Sequence, residues 1–227
     1  MVHLLNHVDD ESQRECDLGR TSLPTPDQWT EAVNPPYVYW IDYFYANVTV
    51  LNTLRAARGL NTFEFRPHCG ESGSPDHLIS AFLFAHKINH GIQLEKVPSV
   101  RYLYYLDQIG IALSPISNSK LVLEYEWNPL FTFFSEGLNV SLITDDPALF
   151  HQCSKPLLEE YAVARHRWKL RTTDLCELAR NSVMQSGWDL DTKEEWLGEN
   201  LNDPYFTNIP NFDIYFGSLA MFASWPA

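Results

Sequence analysis

Four polar clusters hold the residue types that could do chemistry in this chain. They are Arg66-Pro67-His68-Cys69-Gly70-Glu71, Asn89-His90-Gly91, Ser114-Pro115-Ile116-Ser117-Asn118 and Thr144-Asp145-Asp146-Pro147. The His68 imidazole can ligate a metal. Glu71 follows across Gly70, whose missing side chain lets the backbone approach a ligand. A carboxyl there can deliver a proton to a substrate ring nitrogen if burial raises its pKa. Adjacent carboxylates at Asp145 and Asp146 are electrostatically costly unless a cation or hydrogen-bond donors compensate them. Each residue also has an ordinary reading. His68 and His90 can be structural, Glu71 can sit ahead of the helix that Ser74-Pro75 opens, and Asp145-Asp146-Pro147 can be a turn or a helix cap. Their recurrence at successive strand ends argues for a joint role. The chemistry that fits is metal-assisted hydrolysis: zinc held by His68 and Asp145 lowers the pKa of a bound water. His90 then takes the water's proton, Glu71 protonates a ring nitrogen, and Asp146 accepts a hydrogen bond from the substrate. Together these steps deaminate an aromatic amidine.

The elements that must position these clusters follow from periodicity and punctuation. Residues 9–36 are polar and dotted with proline, and read as loop. Asn34 caps a helix that Pro35 or Pro36 opens, with Trp40, Phe44, Val48, Leu51 and Leu54 on its apolar stripe and Gly59 at its stop. A strand over residues 62–66 precedes a helix from Ser74-Pro75 that carries Leu78, Phe82 and Ala85. Ile88-Asn89 is a short strand, residues 97–108 are helical, residues 111–113 form a strand, 129–136 a helix and 138–143 a strand. Strands alternating with helices at intervals of about 23 to 28 residues call for βαβ units and a parallel sheet. The carboxyl edge of such a sheet is where loops from several strands converge. Helices follow over 156–169, 173–186 and 192–197, and residues 200–227 read as an irregular tail. The fold class is α/β, a partial (β/α)8 barrel of roughly strands five to eight with C-terminal helices, as a single domain over 1–227 with 1–35 mostly loop.

Bulk composition excludes some functions. A formal charge of −13 argues against broad contact with nucleic acid, which calls for a basic face. Cys16, Cys69, Cys153 and Cys176 show no CxxC spacing, so reduced cysteines in a cytoplasmic protein are expected. The N-terminal residues lack a basic start and a long apolar run, and no signal peptide is read there. The most apolar stretch, residues 37–54, contains Asp42, Asn47 and Asn52 and reads as a buried helix, not a membrane span.

At these clusters the sequence resembles AMP deaminases, within the adenosine deaminase-like metal-dependent hydrolases. Asn34-Pro35-Pro36-Tyr37, Phe65-Arg66-Pro67-His68-Cys69-Gly70-Glu71, Tyr102-Leu103-Tyr104-Tyr105-Leu106, Ser114-Pro115-Ile116-Ser117-Asn118 and Thr144-Asp145-Asp146-Pro147 carry the resemblance. Glu159-Glu160-Tyr161, Trp168-Lys169-Leu170 and Leu178-Ala179-Arg180-Asn181-Ser182-Val183 extend it. The resemblance implies hydrolysis of AMP to IMP and ammonia by a cytosolic, nucleotide-regulated homo-oligomer, typically a tetramer. It implies zinc ligation by His68 and Asp145, His90 as proton acceptor, and substrate contact by Glu71, Asp146, Pro147, Ala148 and Leu149. The sequence also departs from the pattern. The His-x-His that supplies the family's other two zinc ligands does not occur here, and His3 and His7 are four apart. Ser72 stands where the family usually has alanine, Ile143 where it has serine and Leu149 where it has glutamine, while Thr207-Asn208-Ile209-Pro210 lacks the family's arginines. The chain therefore reads as the carboxyl-terminal half of such an enzyme, inactive or nearly so by itself. Two alternatives stay open: a non-catalytic fragment that associates with full-length subunits, and a related hydrolase with another substrate. A half barrel is also expected to leave strand edges unpaired.

Overall fold

Pro67 decides how the sheet begins. In the computed structural model, which describes residues 4–5, 10–13, 15–16 and 23–198, the strand expected over 62–66 is two short pieces. Strand β1 (Leu4–Leu5) pairs in parallel with β2 (Glu64–Phe65), and β3 (His68–Cys69) belongs to a separate four-stranded parallel sheet. Proline has no N–H to donate, so the ladder breaks there. Its carbonyl still accepts from Asn89 N at 3.0 Å and starts the next ladder. That sheet runs β3-β4-β5-β6, with β4 at Lys87–His90, β5 at Gly110–Leu113 and β6 at Val140–Leu142. His68 is in register with Asn89, Cys69 with His90, Ala112 with Asn89 and Ser141 with Ala112. Consecutive parallel strands joined through helices are the repeating units of a (β/α)8 barrel, as expected.

The helices lie close to their expected spans: α1 Tyr37–Ala57, α2 Asp76–Phe84, α3 Pro98–Leu106, α4 Pro115–Leu121, α5 Leu130–Ser135 and α6 Pro147–Phe150. The three after them are α7 Pro156–Trp168, α8 Thr172–Met184 and α9 Leu190–Leu197. Helices α4 and α6 are additions, each opened by the proline of a polar cluster at its first turn. At the start of α1 the cap is Pro36, with no side-chain hydrogen bond, so Asn34 is not the cap expected. The expected stripe of α1 holds through Val48: Trp40 and Phe44 pack against the core and Val48 is buried, with Tyr37 and Ile41 beside them, while Leu51 and Leu54 face solvent. Its last turns hold a loop, since Asn52 accepts from Phe63 N and donates to Phe63 O, and Arg55 Nε donates to Asn61 O. No described helix is long and apolar enough to cross a membrane. The tail over 200–227, His3, His7 and Thr207-Asn208-Ile209-Pro210 lie outside the described residues.

Ile88, Ile111, Leu113, Val140 and Leu142 of the sheet pack against Leu78 and Ala81 of α2, Tyr104 of α3 and Phe133 of α5 in one buried cluster. Tyr104 is fully buried and donates its hydroxyl to Leu78 O at 2.9 Å, which meets the rule that a buried phenol finds an acceptor. On the outer side of β6, Asn181 Nδ2 of α8 donates to Val140 O at 3.0 Å. Gln185, just past α8, accepts from Ser141 Oγ at 2.8 Å through its Oε1 and donates to Asn139 O. Asn181 thus caps one carbonyl at the edge expected to be bare, while the Gln185 side chain reaches across to Gly110 of β5.

Phe65, fully buried and 5.1 Å ring to ring from Phe44, links β2 to α1. Phe65→Ala is expected to cost about 3–5 kcal/mol in urea unfolding without changing the slope, as a cavity in a rigid core does.

Candidate active site

Two adjacent strands deliver the first two site residues. His68 begins β3 and His90 ends β4, and their rings approach to 4.5 Å between centroids. Glu71 lies in the turn after β3. That turn needs glycine at position 70, where φ is +70° and a Cβ would fall 2.7 Å from Leu78 Cδ2. Gly70 N is thereby aimed at the Glu11 carboxylate, at 2.7 Å. His90 itself has a φ of +71°, and Asp145 one of +56°, strained values for residues with a Cβ that cluster at functional sites.

His68, Glu71 and His90 are all buried, and a ligand atom from each lies within 4.8 Å of the other two. His68 Nε2 is 3.1 Å from Glu71 Oε2, and His90 Nδ1 is 3.5 Å from Glu71 Oε1. The first turn of α4 closes the other side, because positions i, i+3 and i+4 share one helical face. Asn118 Nδ2 donates to Glu71 Oε1 at 2.6 Å and lies 3.2 Å from His90 Nδ1, while Ser114 Oγ lies 3.3 Å from the same nitrogen. Ser117 then links Ser114, at 3.0 Å, to Asp145 Oδ2, to which it donates at 2.7 Å. Asp145 thus stands outside the trio, joined to His90 through two serines. Asp146, Pro147, Ala148 and Leu149 form an exposed stretch at the start of α6, with Asp146 O accepting from Leu149 N and Phe150 N. No hydrogen bond ties the Asp146 side chain to the trio among the described residues.

Sequence reasoning assigned no role to Glu11, His77, Ser114, Ser117 or Asn118. Glu11 Oε1 is 2.6 Å from His68 Nδ1, across 57 positions of chain that give no periodic signal. The serines and Asn118 were recognisable by their i, i+3, i+4 spacing behind a helix-opening proline. Glu160 of α7, pushed up to about 8 chiefly by burial, accepts from Ile116 N at 3.2 Å and holds α4 in place. His151 Nε2 lies 3.3 Å from Glu160 Oε1 but is not aligned for a hydrogen bond, so it gives that carboxyl little relief.

The trio's electrostatics favour positive charge at one point. Burial alone pushes the His68 pKa down, but the hydrogen bonds and charges of Glu11 and Glu71 outweigh it and raise it to about 9. Burial pushes Glu71 up, yet His68, the His90 charge and Asn118 together hold it below the ordinary carboxylate value. The raised Glu71 pKa that proton donation requires is therefore not present while His68 Nε2 faces it. His90 is lowered, first by burial and then by the nearby His68 charge, with Glu71 and Asp145 opposing, which leaves a neutral imidazole able to accept a proton.

Two imidazoles and a carboxylate form a donor set that suits zinc. Four-coordinate bonds of about 2.1 Å separate ligands by roughly 3.4 Å, so the observed spread is within reach of small side-chain shifts. Asn118 Oδ1 is a buried acceptor with no hydrogen bond among the described residues.

The model of the AMP deaminase family matches residues 1–221. The chain belongs to the AMP deaminase family. It is 54% identical over 214 residues to the AMP deaminase of Schizosaccharomyces pombe, covering 94% of this chain and 26% of that protein. It is 56% identical over 193 residues to AMP deaminase 3 of Rattus norvegicus, covering 85% and 25%. The chain thus spans about a quarter of the length of these AMP deaminases. Among solved structures, an adenine deaminase from Arthrobacter aurescens superposes with a TM-score of 0.59 at 23% identity, over 73% of this chain and 48% of that one. An amidohydrolase from Burkholderia ambifaria, with bound Zn, gives 0.59 at 20%, over 86% and 48%. At these identities the likeness is one of fold.

In the metal-free chain, NMR titration is expected to find His68 changing charge near pH 9 and His90 below the ordinary 6.5. The sign follows from linkage: the folded His68 binds its proton more tightly than the unfolded one. Its stabilisation is complete below about pH 6.5 and is lost as pH rises through about 9. Equal titration of the two rings would contradict this geometry.

Proposed function

We propose that this chain forms one side of a zinc site that deaminates AMP hydrolytically to IMP and ammonia. The observation that carries the reading is the buried trio of His68, Glu71 and His90 at the carboxyl edge of a parallel sheet. In the proposal His68 and Asp145 hold the metal, and His90 and Glu71 are the proton-handling groups beside it. Zinc, when bound, supplies a Lewis acid that lowers the pKa of water. His90, buried and neutral, accepts the proton that the attacking water gives up. Ser114 and Asn118 fix that ring, and the serine pair ties it to Asp145. Glu71 is the group assigned to protonate the ring nitrogen; a ligand on His68 Nε2 withdraws one of the contacts that lower its pKa, while Asn118 still donates to it. Asp146 accepts a hydrogen bond from the substrate, and Pro147, Ala148 and Leu149 line its approach. Leu149 offers apolar surface there, being 70% exposed.

The substrate rests on the names of relatives more than 50% identical, and the assignment of zinc to His68 and Asp145 on the family resemblance. Cytosolic location, a tetrameric homo-oligomer and weak or no activity of the chain alone follow from the family resemblance and the missing His-x-His.

The test exchanges this chain for its matched segment in the Schizosaccharomyces pombe protein. The hybrid is expected to release ammonia from AMP in preference to adenosine or adenine. His90→Ala and Glu71→Gln should each lower kcat by about 10²–10⁴, the usual contribution of a general acid or base. Normal turnover in either variant refutes its assigned role. Metal analysis of the hybrid should find zinc, and His68→Ala should lose it; retention of zinc in that variant would remove His68 from the ligand set.

A further inference from the structure

Glu11 is the one carboxylate at the site with both oxygens committed to strand β3 and its turn. Oε1 lies 2.6 Å from His68 Nδ1 and Oε2 accepts from Gly70 N at 2.7 Å. His77 Nδ1 approaches Oε2 to 3.5 Å from α2, and its ring is held between Glu15, at 2.9 Å, and the Tyr37 ring, stacked at 4.3 Å. Tyr37 closes the circle by donating its hydroxyl to His68 O at 3.0 Å. The backbone of Glu11 is pinned as well. A Cβ on Gly73 would fall 1.9 Å from Glu11 O, so the turn after Glu71 lies directly against it. Only 7% of Glu11 is exposed, and its carboxylate has essentially one arrangement open to it.

From this clamp we infer that Glu11 is a positioning residue: it holds His68 as the Nδ1–H tautomer with the ring plane fixed and Nε2 turned to the site. Carboxylates face both ring nitrogens and neither can donate. Glu11 is the nearer, at 2.6 Å against 3.1 Å for Glu71, and its other oxygen is held by Gly70 N, so a neutral His68 carries its proton on Nδ1. The lone pair is then on Nε2, the nitrogen that faces Glu71, where a metal ligand is needed. Such carboxylate–histidine pairs set the tautomer and raise the basicity of ligating rings. The inference rests on the reading of His68 as a metal ligand for its purpose, but not for its geometry. The simpler alternative is a buried contact that only fastens the segment around residue 11 to the sheet. That alternative places no demand on which His68 nitrogen bears the proton.

Long-range nitrogen–proton NMR on the labelled, metal-free chain, with the ring neutral, separates the two. The wild-type chain should show Nδ1–H at His68. Glu11→Ala should move the proton to Nε2, and Glu71→Gln should leave it on Nδ1. An Nε2–H signal in the wild-type chain overturns the inference even if no variant folds, as does an unchanged tautomer in Glu11→Ala. In the hybrid protein, Co²⁺ should bind about 10–100-fold more weakly to Glu11→Ala. Equal cobalt affinity would also overturn it. An Nδ1–H wild type whose hybrid takes up no cobalt at all supports the clamp and removes only the metal reading.

Discussion

The site depends on the parallel register of β3 with β4. The register pairs His68 with Asn89 and Cys69 with His90, so regular alternation would put the two imidazoles on opposite faces. The left-handed backbone at His90, φ +71°, breaks that alternation as β4 ends, and the two rings meet at 4.5 Å. The register has a physical origin in Pro67, which cannot donate to the preceding ladder but accepts from Asn89. From there, each element is placed by the one before it. The turn after β3 carries Glu71, α4 carries Ser114, Ser117 and Asn118, and α7 fixes α4 through Glu160 and Ile116.

Around that frame, charge is arranged with some economy. Glu11 and Glu71 approach the two nitrogens of His68 from opposite sides, and both are largely shielded from water. In this environment an ion pair gains from low dielectric but loses solvation, so its worth depends on how completely it is hydrogen-bonded. Glu11 meets that condition through Gly70. Glu71 meets it through Asn118, and Gln93 Nε2 holds the turn itself by donating to the Glu71 backbone carbonyl at 3.2 Å. The result is a rigid pocket in which one point favours a cation and the neighbouring ring, His90, resists becoming one.

Much of this was legible from local pattern, and the exceptions share a cause. The alternation of strands and helices, the proline-opened helices α3 and α7, and the polar clusters near strand ends were all readable because each signal spans a few residues. The break in the first strand was not read, although Pro67 was in view, since a proline that splits a strand between two partners looks locally like one that ends it. The stripe on α1 was legible through Val48 but not at Leu51 and Leu54, where the polar anchors Asn52 and Arg55 hold the loop at Phe63. Glu11 was invisible for a different reason. Its partner is distant along the chain, and acid-rich loops are usually solvated. The carboxylate at Asp145 was readable, whereas its separation from the trio by Ser114 and Ser117 required three dimensions.

Asn181 lends its amide to a carbonyl of β6 that points away from the sheet. A backbone strand in that place would form a continuous ladder, but a single side chain can rotate aside for the cost of about one hydrogen bond. The rim of the sheet is therefore latched, not sealed. An arriving strand can take over the carbonyl by substitution, without first breaking the helix that guards it.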